Sequence, residues 1–334
     1  MGGDFAPQAT VAGALLAVSE LDSAHTIQLI GRSAVIAEQL DTLFRGEFAA
    51  HVATRTRIDI VEAPDIIEMT DKPSAVRGKP NSSMMIGLKL QASGKSDAFV
   101  SAGNTGAQMA ASMLMLRLHA GLKRPAIATT FPTARKPVIV LDSGANVDCS
   151  ADELVQFARL GIVYAEDLLG RENPAVGLLN IGEEPEKGNA VVKEAHHLLQ
   201  SAGLNFVGNV EGRDLPNGQC DRGPIDVVVC DGFVGNVVLK FYEAISPFIM
   251  RLLTQSGLDE KTMKAALTQL DYSEHGGAPL LGVNGVSIIS HGKSSPRAIK
   301  NAIKVAVRAI DSRMDEHIGR RLGEANVAAG GGTT

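Results

Sequence analysis

Six apolar runs of strand length, rich in β-branched residues, each give way to a turn of Gly, Asn or Asp: DAFVSAGN, PVIVLDSGANVD, AVGLLNIGEEPEKGN, LNFVGNVEGRD, DVVVCDGFVGN and VSIISHGKSS. Helical patterns such as SADELVQFARLGIVYAEDLL and GNAVVKEAHHLLQSAG separate many of them. Continuous apolar strands alternating with amphipathic helices read as a parallel sheet buried on both faces. The expected fold class is α/β, a doubly wound, mostly parallel sheet with helices on both faces. Ligands of such sheets sit beyond the carboxyl ends of the strands, where all of these turns fall.

The turn SAGNTGA at 101–107 shows what chemistry that position allows. It follows DAFV directly and opens into the helical pattern QMAASMLMLRL. The first N–H groups of a helix have no intrahelical partner and lie at the positive end of its dipole, so phosphate or an oxyanion can seat there. For one such turn the alternative is a plain cap by Asn104 or Thr105. The repetition along the chain favours the anion seat.

Absent motifs narrow the class. No G-x-G-x-x-G precedes a helix, and the two GKS triplets at 94–96 and 292–294 lack the leading glycine of a P-loop, with Lys89 and Ser287 in its place. H-E-x-x-H, C-x-x-C and G-x-S-x-G are missing. His196 and His197 are neighbours on one helix, about 100° apart, and read as a solvated pair rather than a metal site. Neither metal nor cofactor is expected.

With 334 residues and 45% hydrophobic side chains the chain can bury a large core. One α/β domain is expected over 1–322, with a disordered tail over 323–334, where RRLGEANVAAGGGTT has no apolar period. The net charge of −5 argues against nucleic acid as a partner. Three cysteines form no disulfide framework and suit a reducing cytoplasm.

Beyond these patterns, MGGDFAP at the start, KPNSSM at 79–84, DAFVSAGNTGAQMAAS at 97–112, LDSGANVDCS at 141–150, NIGEEPEKGN at 180–189, NFVGNVEGRD at 205–214, VVVCDGFVGNVVLK at 227–240 and DYSEHGGAPLLGVNGV at 271–286 resemble the PlsX family of bacterial phosphate acyltransferases. The resemblance implies an enzyme that converts acyl-(acyl-carrier-protein) and inorganic phosphate into acyl phosphate and free carrier protein. It implies a fold similar to phosphotransacetylases and isocitrate-dehydrogenase-like proteins. It also implies a homodimer in phospholipid synthesis, next to a membrane-bound glycerol-phosphate acyltransferase. The location is expected to be cytoplasmic, or peripheral at the inner face of the membrane. Family members open on a short strand of the kind IALDA before the MGGD turn, so an element beside the site is expected to be missing here. The segment between Lys240 and Asp271 is shorter than the family's helical hairpin, which has been linked to membrane contact. Two alternatives stay open: a non-enzymatic scaffold between fatty-acid synthesis and the membrane, and a nicotinamide-dependent dehydrogenase on a similar fold.

Phosphorolysis of a thioester needs positioned phosphate, donors for the oxyanion and one or two cations, since phosphate is already largely dianionic and a thiolate leaves readily. Gly103, Asn104, Thr105 and Gly106 are the first candidates. Lys79, with Ser82 and Ser83 capping the next helix, would supply charge. Gly2, Gly3 and Asp4 form a turn in which Asp4 orients donors. Asn180, Glu183 and Lys187 share one loop, with Glu183 expected to orient Lys187 as a second cation or to form a surface pair. Asp231 and Asn236 flank a turn in a supporting role, and His291 is the candidate to protonate the leaving sulfur. Catalytic roles thus fall to Lys79, Asn104, Lys187 and His291.

Two further segments have assigned tasks. After Pro296, residues Ile299, Ile303, Ala306 and Ile310 form an apolar stripe, while Arg297, Lys300, Lys304 and Arg308 recur on another face and are candidates to dock the acidic carrier, against a merely solvated face. The apolar segment at 237–270 is expected to be helical and to form the dimer, with Pro247 breaking or starting a helix. Cys149 is not expected to act as a nucleophile, because Ser150 caps the next helix and Asp152 and Glu153 offset its positive end.

Overall fold

The apolar runs are strands in the computed structural model of the chain, which describes residues 2–255 and 276–330. Contacts divide the chain into two units: Met1–Arg117 with His275–Asp311, and Leu118–Glu274 with Ser312–Thr334.

In the first unit, strands Ile27–Gly31 and Ile58–Glu62 pair in parallel. Strand Ala98–Ser101 pairs in parallel with Val286–Ile289, which pairs antiparallel with Ala278–Leu281. Among the described residues Ile27–Gly31 and Ala98–Ser101 are each unpaired on one side, and both line a cleft of about 300 Å³ that reaches Gly3 and Gly103. Helix Gln8–Glu20 packs on helix Pro296–Asp311. Gly13 permits the close approach, because a Cβ there would lie 2.5 Å from Ile299 Cβ. The helix buries Val11, Leu15 and Val18 against Leu29, Ile36, Leu40 and Phe48, removal of apolar surface from water that drives assembly of this layer. Its carboxyl end is held by Arg57, whose guanidinium donates to the carbonyls of Val18, Leu21, Asp22 and His25.

The second unit carries a five-stranded sheet in the order Thr129–Phe131, Val138–Leu141, Val227–Val229, Val176–Leu179, Phe206–Val210, parallel throughout except for the first pair. The runs VIVL and VVV are buried along their whole length, as strands covered on both faces must be. Helix Ala151–Leu169 starts on a full capping box between Ser150 and Glu153. The doubly wound, mostly parallel α/β class read from the alternation is the observed one.

Helix Gly232–Gln255 passes through Pro247 without interruption, where a break or start was expected; the rest of the 237–270 segment, 256–270, lies outside the described residues. Helix Met314–Gly330 continues past the expected tail boundary at 323. Among the described residues no helix is long and apolar enough to cross a membrane.

Candidate active site

In the first unit four turns converge. The 2–4 turn meets the 101–104 turn through Gly3, where a Cβ would stand 3.0 Å from Ala102 O and 3.3 Å from Gly292 O. Asp4 N donates to Gly292 O at 2.8 Å, and the Asp4 carboxylate lies beside Gly292, as a Cβ there would be 3.5 Å from both its oxygens. Ser290 N donates to Ser101 O at 2.8 Å, tying the 290–294 turn to the strand end. Glycine at position 3 is what lets the three backbones approach this closely.

Asn104 organises the fourth turn. It caps helix Thr105–Met115, its Oδ1 accepting from Ala107 N at 2.9 Å. Its Nδ2 donates to the carbonyls of Met69 at 3.0 Å and Asp71 at 2.8 Å, so the 66–71 loop is wrapped over the helix start. Gly103 N is taken by Ser101 Oγ at 3.0 Å. The N–H groups of Asn104, Thr105 and Gly106 keep no partner among the described residues.

Lys79 stands beside this turn. Its Nζ donates to Ile66 O at 2.9 Å and to Asp71 Oδ2 at 2.6 Å, and this bond, with a second from Glu68 N, holds the Asp71 carboxyl below its usual range. Asp71 and the 66–71 backbone were missed by sequence reasoning. Nothing in EMTDKPS marks a loop that folds back on a turn more than thirty residues later. Ser82 caps helix Ser83–Ala92 through Met85 N, and both serines are buried. His291 is exposed, and its Nδ1 accepts from Lys293 N at 3.1 Å, so in the neutral ring the proton sits on Nε2.

The second unit gathers the other candidates around two turns. Asp142, fully buried at the end of strand Val138–Leu141, accepts from the N–H groups of Ile127, Gly144, Ala145 and Asn146 and from Asn146 Nδ2. Burial raises its carboxyl above the usual range, and those donors pull against the rise. Asp231 caps helix Gly232–Gln255 through Val234 N at 2.8 Å, and Asn236 packs beside Gly144. Asp142 is the second residue the sequence reading passed over. Burial pushes the Cys149 thiol up to about 12, reinforced by the Asp142 carboxylate, so the thiol is neutral near pH 7.

In the 180–189 loop Asn180 Nδ2 donates to Lys187 O at 3.1 Å, closing the loop on itself. Glu183 does not orient Lys187. Its carboxylate pairs with Arg213 at 3.4 Å, a residue of the NVEGRD turn. On the Pro296–Asp311 helix, Lys300 and Lys304 both bond the Glu20 carboxylate, the first at 2.9 Å. Arg297 and Arg308 are on the same helix.

The chain matches a family model described as a fatty acid synthesis protein over residues 1–317. It is 43% identical to a phosphate acyltransferase of Pelotomaculum thermopropionicum, covering 99% of this chain and 96% of that one. It is 46% identical to one of Desulfitobacterium hafniense, over 96% of each. In fold it is similar to the EutD phosphotransacetylase of Staphylococcus aureus, with a TM-score of 0.53, 14% identity and coverage of 90% and 99%. A Streptococcus pyogenes phosphotransacetylase gives 0.54 at 15% identity, with coverage of 90% and 98%. Backbone donors that keep no partner among the described residues, beside a lysine, suit an anion, and the chain belongs to the phosphate acyltransferase family.

Proposed function

We propose that the chain catalyses direct phosphorolysis of an acyl-(acyl-carrier-protein) thioester, giving acyl phosphate and free carrier protein. The observation that carries this reading is the set of partnerless N–H groups at 104–106, beside Lys79, on a helix start that Asn104 caps. A phosphate oxygen attacks the thioester carbon, the carbonyl oxygen takes the negative charge, and the C–S bond then breaks with the electron pair leaving on sulfur. Each fixed donor to the oxyanion contributes about 2.7–4 kcal/mol to the transition state. Lys79 supplies positive charge, and His291, as imidazolium, donates its Nε2 proton to the departing sulfur and is left neutral. Asn104 acts by placing the turn, since its own donors are bound to backbone carbonyls. A neutral Cys149 supports direct attack over an acyl-enzyme. The scaffold and dehydrogenase alternatives gain no support from the family.

The chain works as a homodimer in this reading. Phe233, Val237, Phe241, Phe248 and Leu252 are exposed and recur along the Gly232–Gln255 helix, an apolar stripe that a second copy would cover. The acyl phosphate passes to a membrane-bound glycerol-phosphate acyltransferase, and the enzyme itself is cytoplasmic or peripheral at the membrane.

Purified protein mixed with palmitoyl-carrier protein should release the carrier thiol only when phosphate is present, without nucleotide or metal. Incubation without phosphate should leave the intact mass unchanged. An acyl adduct discharged by phosphate at a competent rate would replace direct attack with a covalent route.

A further inference from the structure

Asp71 ties together three parts of the first unit that meet at the 101–106 turn. Its Oδ2 accepts from Glu68 N at 2.8 Å, closing the 68–71 turn, and from Lys79 Nζ at 2.6 Å. Its main-chain carbonyl accepts from Asn104 Nδ2 at 2.8 Å. One residue therefore stands between the Lys79 ammonium and the cap of helix Thr105–Met115, where the N–H groups at 104–106 keep no partner among the described residues. Ile66 O holds Nζ from a second side at 2.9 Å. An ammonium has three N–H donors and no acceptor. Two fixed acceptors leave Lys79 one donor for a ligand and keep its long, flexible stem from swinging.

The neighbouring cations Lys72 and Arg77 are exposed, whereas Lys79 and Asp71 are half-buried. Charge alone would make Asp71 a poor choice here, because a carboxylate beside an anion seat repels phosphate. What it contributes is geometry: the same side chain that closes the 68–71 turn fixes the ammonium. We propose that Asp71 is a positioning residue that holds the Lys79 ammonium beside the 104–106 N–H groups, so that cation and amides engage one phosphate. This rests on the reading of Lys79 as the phosphate cation.

The test is steady-state kinetics on the intact chain with phosphate as the varied substrate. Asp71→Ala should raise the phosphate KM about tenfold with kcat little changed, as expected when a binding group is misplaced rather than removed. Asp71→Asn, which keeps an oxygen for Glu68 N and Lys79 Nζ but drops the charge, should restore most of the loss. Asp71→Glu, which keeps the charge but moves it by one methylene, should not. In a Lys79→Ala background Asp71→Ala should have no further effect, because residues that act through one group are not additive. A phosphate KM unmoved or lowered in folded Asp71→Ala protein, or a rise that persists in the Lys79→Ala background, overturns the proposal while leaving Lys79 in place. Where Asp71→Ala does not fold, the other pair decides: a native KM with Glu and a raised one with Asn would mean that the charge matters and its placement does not, which also overturns it. If Lys79→Ala itself leaves the phosphate KM unchanged, the reading beneath the proposal falls, and the proposal with it.

Discussion

The turns SAGNTGA at 101–107 and DSGANVD at 142–148 are near twins in composition: each follows a strand and supplies glycine, asparagine and serine before a helix. Their contents differ. In the second, the Asp142 carboxylate accepts four backbone N–H groups and an asparagine amide, filling the nest from within. In the first, the strand ends in Ser101, whose hydroxyl accepts from Gly103 N, and the N–H groups at 104–106 keep no partner among the described residues. A glycine turn is an anion seat only where the chain does not bring its own anion. One carboxylate decides between a structural nest and a candidate substrate site.

Removing that carboxylate gives the largest effect expected. Asp142→Ala takes the acceptor from five donors, of which the Ile127 and Asn146 N–H groups and the Asn146 amide are buried, each buried donor worth about 1–3 kcal/mol when unsatisfied, so a loss on the order of 4 kcal/mol is expected. Urea unfolding followed by circular dichroism reads it directly. A loss below about 1 kcal/mol would mean the nest is not held by Asp142.

The open turn should respond the opposite way, losing activity and keeping its fold. Thr105 is the first residue of its helix and Asn104 before it is extended, at φ −62° and ψ 113°. Proline is tolerated at that first position and matches an extended predecessor. Thr105→Pro therefore deletes one unpartnered N–H while disturbing little else. If that donor serves the oxyanion, kcat/KM falls about 10²–10³-fold, with Thr105→Ala as the control that keeps the N–H. Unchanged turnover in the proline variant would leave the turn a plain cap.

The comparison also explains what could be read from the sequence. Strand and helix alternation was legible because VIVL, VVV and the amphipathic helices carry their burial in their own periodicity. The caps at Ser82, Asn104 and Ser150 were legible because a cap is a local bond. What could not be read were bonds closed by folding across long separations. Lys79 is tied to Asp71 by a loop that Asn104 pins from more than thirty residues away, and Glu183 turns to Arg213 rather than to its neighbour Lys187. His196, read as solvated beside His197, is buried with its Nδ1 2.9 Å from Asn209 Oδ1, because a helix face is known only once its partner strand is placed.

A smaller effect is expected beside the filled nest. Cys149 sits near that carboxylate with its thiol pushed up to about 12 by burial first and by Asp142 second. A neutral thiol is a poor nucleophile. Cys149→Ala should retain activity within about tenfold, or roughly 1.4 kcal/mol in the barrier. A larger fall, together with an acyl adduct on the native protein, would assign the turn a covalent role.

The smallest effect concerns a third internal anion, Glu20, which accepts from both Lys300 and Lys304. The bond from Lys304 first, and that from Lys300 second, hold its carboxyl below the usual 4.5. A depressed folded value means this pair stabilises the protein above pH 4.5 and loses that contribution as pH falls below it. With Glu20 40% exposed the pair contributes no more than about 1 kcal/mol, so Glu20→Gln should barely move the unfolding midpoint at pH 7 and should flatten its decline in acid. The same substitution frees two cations on the Pro296–Asp311 helix. If that helix docks an acidic carrier, Glu20→Gln lowers the KM for acyl-carrier protein at low salt, and Lys300→Glu with Lys304→Glu raises it. Here an internal carboxylate would be competing with the partner for one patch, as Asp142 pre-empts an anion in its nest. An unchanged KM in both variants at low salt would leave the helix a solvated face.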